Sequence, residues 1–172
     1  MPDYLNSLPN AYLILAQIMG SLTDFGIRLM GFVAILVVLL HGVLILLMMG
    51  CFHAFNKRYG NSRNKRVDIL VYFTVVLLIL FSHLIDIFVW TYAMVSVTVF
   101  PDVIKTFYFA GEMYTNLDHN DPIYVLGPQW RMLPILISFS GLFAVAISGA
   151  ALYSLLISTF ADPIENDGKA VK

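Results

Sequence analysis

Residues 29–52, 69–99 and 132–160 are apolar runs, each longer than the roughly 20 residues a helix needs to cross a bilayer. The first and third contain no Asp, Glu, Lys or Arg, and the second is interrupted only by His83 and Asp86. Few other architectures are open to such a chain, because a soluble domain would have no polar surface to build from these runs. Composition agrees: 59% of residues are hydrophobic and 12% charged, against about a quarter charged in ordinary soluble domains. The expected fold is all-α and integral to the membrane, with a transmembrane helix on each run. A formal net charge of -1 and the lack of a basic stripe leave no nucleic-acid partner to expect. Membrane lipid is the partner the composition implies.

Between the second and third runs lies FPDVIKTFYFAGEMYTNLDHNDPIYVLGPQW, residues 100–130. It reads as a short aromatic helix followed by a polar, acid-rich loop. Non-helical backbone at membrane depth is tolerated only where protein buries it or where it lines a water-filled cavity, so the segment is expected to be a re-entrant loop. The chain then divides into an N-terminal external or interfacial segment (1–28), a first transmembrane helix (29–55), a basic link (56–68) and a pore-type domain (69–160). That domain has an outer helix (69–99), a pore helix and loop (100–131) and an inner helix (132–160). A tail follows (161–172). Within residues 4–27 a short helix is expected to stop and restart, with Ser21 or Thr23 capping the new start.

Lys and Arg collect on the cytoplasmic side of short connections. The link holds Lys57, Arg58, Arg63, Lys65 and Arg66 against Asp68 alone, so it is expected in the cytoplasm. The N-terminus and the loop then lie outside, and the C-terminus inside. No basic n-region of a cleavable signal is evident.

Several pieces, taken in order, carry a resemblance. His83-Leu84-Ile85-Asp86 with Trp90 lies on the outer helix, Tyr108-Phe109 opens the pore-helix pattern, and Gln129-Trp130-Arg131 returns the chain to the membrane. Gly141-Leu142 leads an inner helix rich in small residues. From about His83 to Leu155 the chain resembles the small bacterial ion channels with a potassium-channel-type pore domain, and its extra first span is similar to short members labelled two-pore-domain-like. The resemblance implies a homotetramer in the bacterial inner membrane, an ion-channel function and inorganic cations as the transported partner. It implies no enzyme, and the chain has no nucleotide loop or nucleophile with a nearby base.

The filter departs from that family. Where such channels carry Thr-Val-Gly-Tyr-Gly-Asp, this chain has Asn116-Leu117-Asp118-His119-Asn120-Asp121. Potassium filters aim rings of backbone carbonyls at the axis, and their glycines supply conformations that a Cβ resists. Asp118 and Asn120 stand at the two glycine positions, so potassium selectivity is not expected. In a tetramer Asp118 and Asp121 would form carboxylate rings that attract cations, a divalent ion among them, with His119 as a titratable ring between. The alternatives are a polar external turn, or a non-conducting channel-fold subunit that binds a partner protein or a divalent cation.

The polar residues within the runs remain. His83, Asp86 and Trp90 share one helix face, and His41 lies mid-way along the first run. They could form a proton relay or a metal site, but interhelical hydrogen bonds are the favoured reading, His to Asp or Asp to an indole N–H. Glu112, at the end of the pore helix, could deepen a cation site. A hydrogen bond from Trp130 or Tyr114 is the favoured role. Gly141 and Gly149 are candidate gating hinges, with close helix approach as the equal alternative.

Overall fold

The structure, a computed structural model, describes residues 10–21, 23–59, 65–117 and 124–160. The tail, the centre of the link and residues 118–123 lie outside them. The described residues are predominantly helical, with no strand among them. In order come α1 (Ala11–Ser21), α2 (Phe25–Tyr59), α3 (Lys65–Ser96), α4 (Val103–Tyr114), a 3₁₀ turn (Pro128–Trp130) and α5 (Leu133–Phe160). Three of the segments, Phe25–Arg58, Arg66–Ser96 and Pro128–Thr159, are long and apolar enough to cross a membrane. These are the features of a multi-pass membrane protein.

The helix ends have local causes. Asn10 starts α1, its side chain accepting the Tyr12 N–H at 2.9 Å. The chain does stop and restart before α2, but the cap differs from expectation. Asp24 accepts the Gly26 N–H at 2.7 Å, while Thr23 turns back and donates to the Gly20 carbonyl at 2.6 Å. Thr23 thus closes α1 and Asp24 opens α2, which begins at Phe25, earlier than the apolar run. At the other end α2 closes on Lys57 and Arg58, cations that suit the negative end of the helix dipole.

Two ends share one device. At the end of α3, Thr98 has φ 52°, with Val99 N–H donating to the Met94 carbonyl and Thr98 N–H to that of Val95. At the end of α4, Asn116 has φ 55°, with Leu117 N–H donating to Glu112 and Asn116 N–H to Met113. Both are Schellman closures, which ask for a left-handed residue and usually take Gly or Asn. Asn116 is suited to that role. Thr98, being β-branched, is not.

α4 is amphipathic, burying Thr106, Phe109, Ala110, Met113 and Tyr114, a spacing of three and four that forms one stripe. Asp102 caps it, accepting from Lys105 N–H at 3.0 Å. That stripe packs against both α3 and α5, which also touch each other and α2. Around it Met30, Val37, Trp90, Met94, Phe109, Leu133 and Ile137 form the larger apolar cluster. A second cluster, Ile45, Phe52, Val75, Ile79, Ala151 and Leu155, packs the other end of α2, α3 and α5. The outward faces carry Leu39, Leu46, Leu77, Phe88 and Phe143, all well exposed. Apolar side chains outward and polar ones inward are the pattern of a bundle whose solvent is lipid.

Candidate functional site: a buried polar ring

On α2, α3 and α5 the two apolar clusters are separated by a polar level. His41 falls between Val37 and Ile45, Asp86 and His83 between Ile79 and Ile87, and Ser148 between Ala144 and Ala151. His41, Asp86 and Ser148 are buried, at 0%, 2% and 4% exposure. Tyr114, the last residue of α4, enters the same level with its hydroxyl.

These five side chains close a ring. His41 Nδ1 lies 2.6 Å from Asp86 Oδ2, and His41 Nε2 lies 2.8 Å from Ser148 Oγ. Ser148 Oγ is 3.1 Å from His83 Nε2, and His83 Nδ1 is 2.9 Å from the Tyr114 hydroxyl. Tyr114 donates back to Asp86 Oδ2 at 2.6 Å. Every bond crosses from one helix to another, so the ring joins α2, α3, α4 and α5. The two imidazoles are also tilted against each other, with centroids 4.6 Å apart. A charge left alone here would cost on the order of 2.5 to 3.5 kcal/mol by insertion scales, and interhelical hydrogen bonds contribute about 0.6 kcal/mol each on average. The partnering is what makes Asp86 tolerable in this position.

One ligand atom from each of His41, His83 and Asp86 lies within 4.8 Å of the others, so the set could hold a metal by proximity. Two arguments weigh against it. A divalent ion would meet only one carboxylate, leaving a positive site in an apolar surround. The ring nitrogens are, moreover, already engaged by hydroxyls and by Asp86.

The end of α4 is held at its backbone as well. Ser138 donates to the Met113 carbonyl at 2.9 Å, and a Cβ built on Gly141 would come within 2.0 Å of the Tyr114 carbonyl oxygen. Only glycine lets α5 approach α4 so closely. Gly149, by contrast, has nothing within 4 Å of such a Cβ.

The other sequence candidates are dispersed. Trp90 is fully buried on the face of His83 and Asp86, but its indole N–H donates to Ser140 Oγ at 2.9 Å and not to Asp86. Glu112 does not take up Trp130 or Tyr114: the Tyr114 hydroxyl goes to Asp86, Trp130 packs into the apolar cluster, and Glu112 Oε2 is buried without a hydrogen-bond partner among the described residues. Asn116 is the left-handed closure of α4, and Leu117 is exposed. Asp118, His119, Asn120 and Asp121 lie outside the described residues. His53 is exposed on α2, away from the ring. Sequence reasoning missed the part of Ser148 and the route of the Tyr114 hydroxyl. The signal for Ser148 was its place in the stripe Ser140, Ala144, Ser148, Ala151.

Compared with protein-family models, with curated proteins and with solved structures, the chain matches none.

Proposed function

We propose that the chain is a channel-like membrane protein, a cation pore without potassium-type selectivity, in which acidic side chains at the external mouth attract the ion. The observation that carries the reading is where α4 ends. Its last carbonyl abuts Gly141, eight residues inside α5 and so roughly 12 Å from the start of that helix at 1.5 Å per residue. Its last hydroxyl reaches Asp86, ten residues short of the end of α3. A short helix that ends part-way down two long apolar ones, and then gives way to the polar residues 116–121, is what a re-entrant pore helix requires.

One such loop per chain cannot enclose a pathway, so several copies must surround an axis, four by the family resemblance. By the same resemblance the assembly belongs to a bacterial inner membrane, and the basic link supports an N-terminus outside and a C-terminus in the cytoplasm. Asp118 and Asp121 then present carboxylate rings to the outside, a charge density that suits divalent ions.

The test is cation flux from the purified chain in liposomes under Na⁺, K⁺ and Ca²⁺ gradients. The wild type is expected to pass cations without preferring K⁺, and Asp118→Asn to weaken divalent binding or change the flux. Potassium-selective flux untouched by Asp118→Asn would overturn the reading. No flux of any cation would favour the second reading, a non-conducting subunit of the same fold, for which the Cβ atoms at the two filter glycine positions already speak.

A further inference from the structure

Five side chains and five contacts make the ring a proton-counting problem. Each contact of 2.6–3.1 Å needs one hydrogen, since two lone pairs facing each other at that distance repel. Neutral Tyr114, Ser148, His41 and His83 bring four between them, and an ionised Asp86 brings none. One more is required.

Following the bonds locates it. Tyr114 donates its only proton to Asp86, so its oxygen must accept from His83 Nδ1–H. The other nitrogen of His83 then accepts from Ser148, whose oxygen accepts from His41 Nε2–H. The fifth proton lies in the 2.6 Å contact between His41 Nδ1 and Asp86 Oδ2. Reversing the sense of every bond uses the same five. With the fifth proton the ring carries no net charge, the state an apolar bundle favours.

We propose that His41, His83, Asp86, Tyr114 and Ser148 form an intramembrane binding site for one proton, shared around the ring. The ligand is a proton and not a divalent metal because the proton brings the ring to neutrality while supplying the one hydrogen its five contacts lack. The titratable groups facing the site are His41 from α2, His83 and Asp86 from α3, and Tyr114 from α4; α5 contributes only the Ser148 hydroxyl. Glu112, two residues before Tyr114, projects to another face of α4. On one flank half-buried His83, with the buried Tyr114 and Ser148, lines a mainly apolar groove of about 530 Å³ together with Ile79, Leu84, Val145 and Leu152. The inference stands whether or not ions pass through the protein.

The test is ¹⁵N-histidine magnetic resonance on the full chain in lipid bilayers, with His53→Gln and His119→Gln so that only His41 and His83 report. With the fifth proton on Asp86, either sense of the ring puts the two imidazole protons on opposite nitrogens, one on Nδ1 and one on Nε2; with it on His41, that ring carries both and His83 one. As pH rises, both rings are expected to change in one shared step. Asp86→Asn, which cannot supply the acid proton, is expected to abolish the step. Ser148→Ala removes one hydroxyl from the ring without touching Asp86, and it is expected to separate the two responses. Like tautomers in the wild type, independent titration of the two rings, or a step that survives Asp86→Asn would overturn the proposal. So would Zn²⁺ shifting both rings at neutral pH in the wild type but not in Asp86→Asn, which would mark a metal site. Should Asp86→Asn fail to fold, the wild-type tautomers and Ser148→Ala still decide.

Discussion

Alanine at Gly141 is expected to cost the fold about 1.6 kcal/mol, and alanine at Gly149 to stabilise it by up to about 1 kcal/mol. The reasoning is steric. The new Cβ at position 141 would come 2.0 Å from the Tyr114 oxygen, 2.9 Å from its carbonyl carbon and 3.2 Å from its Cα. All three are backbone atoms, so no rotamer change relieves the clash. The helices would have to part by more than an ångström to restore ordinary contact, which strains Ser138 on the Met113 carbonyl and pulls Tyr114 from its ring partners. Overpacking of this kind costs about 1–3 kcal/mol, and a ring bond lost with it adds about 0.6 kcal/mol. Against that stands the gain of about 1 kcal/mol that alanine brings to a helix interior, so the net loss is about 1.6 kcal/mol, roughly a fifteenfold shift in the folding equilibrium. At Gly149 no neighbour lies within 4 Å and only the propensity gain remains. Reversible unfolding in mixed micelles, followed by tryptophan fluorescence, measures both. Equal stability of the two variants would show that α4 and α5 are not in backbone contact, and it would reopen the case for two equivalent hinges.

Trp90→Phe keeps the ring in the apolar cluster but removes the donor to Ser140, and is expected to destabilise by about 1 kcal/mol in the same unfolding assay; adding Ser140→Ala should cost little further. Thr98→Gly is expected to stabilise by roughly 1 kcal/mol, because a β-branched residue at φ 52° gives up left-handed strain. A destabilised Thr98→Gly would mean that the closure of α3 is not as described.

The spans were legible in sequence because length and apolarity depend on single segments, and a bilayer leaves few alternatives for such runs. The short helix α4 was legible as an aromatic helix before the polar loop, but its buried stripe of Thr106, Phe109, Ala110, Met113 and Tyr114, although it repeats at helical spacing, was not read from the sequence. The nearness of His41 to Asp86 could be anticipated from cost alone, as each needed a partner. What one helix cannot reveal is how it is rotated against its neighbours. Trp90 and Asp86 share a face, yet rotation hands the indole to Ser140 and the carboxylate to His41 and Tyr114. Caps failed for a smaller reason. Ser21, Thr23 and Asp24 all suit an N-cap, and only the turn itself decides that Asp24 takes α2 while Thr23 closes α1.

Tyr114 is where these separate facts meet. Its hydroxyl belongs to the ring through Asp86 and His83, and its carbonyl lies against Gly141. Two residues later the chain takes the left-handed turn at Asn116 that directs it into the polar loop. The position of that turn is therefore set from two sides, by hydrogen bonds on α3 and by backbone contact on α5. A change in either moves the same short lever. Loss of a ring hydroxyl at Ser148 acts on the side chain through His83, while a Cβ at position 141 acts on the backbone. The two are close enough to couple, so the energies of Gly141→Ala and Ser148→Ala should not add. A double variant no less stable than Gly141→Ala alone would show that the steric push had already broken the ring. Simple additivity would show that Tyr114 is held by two independent anchors.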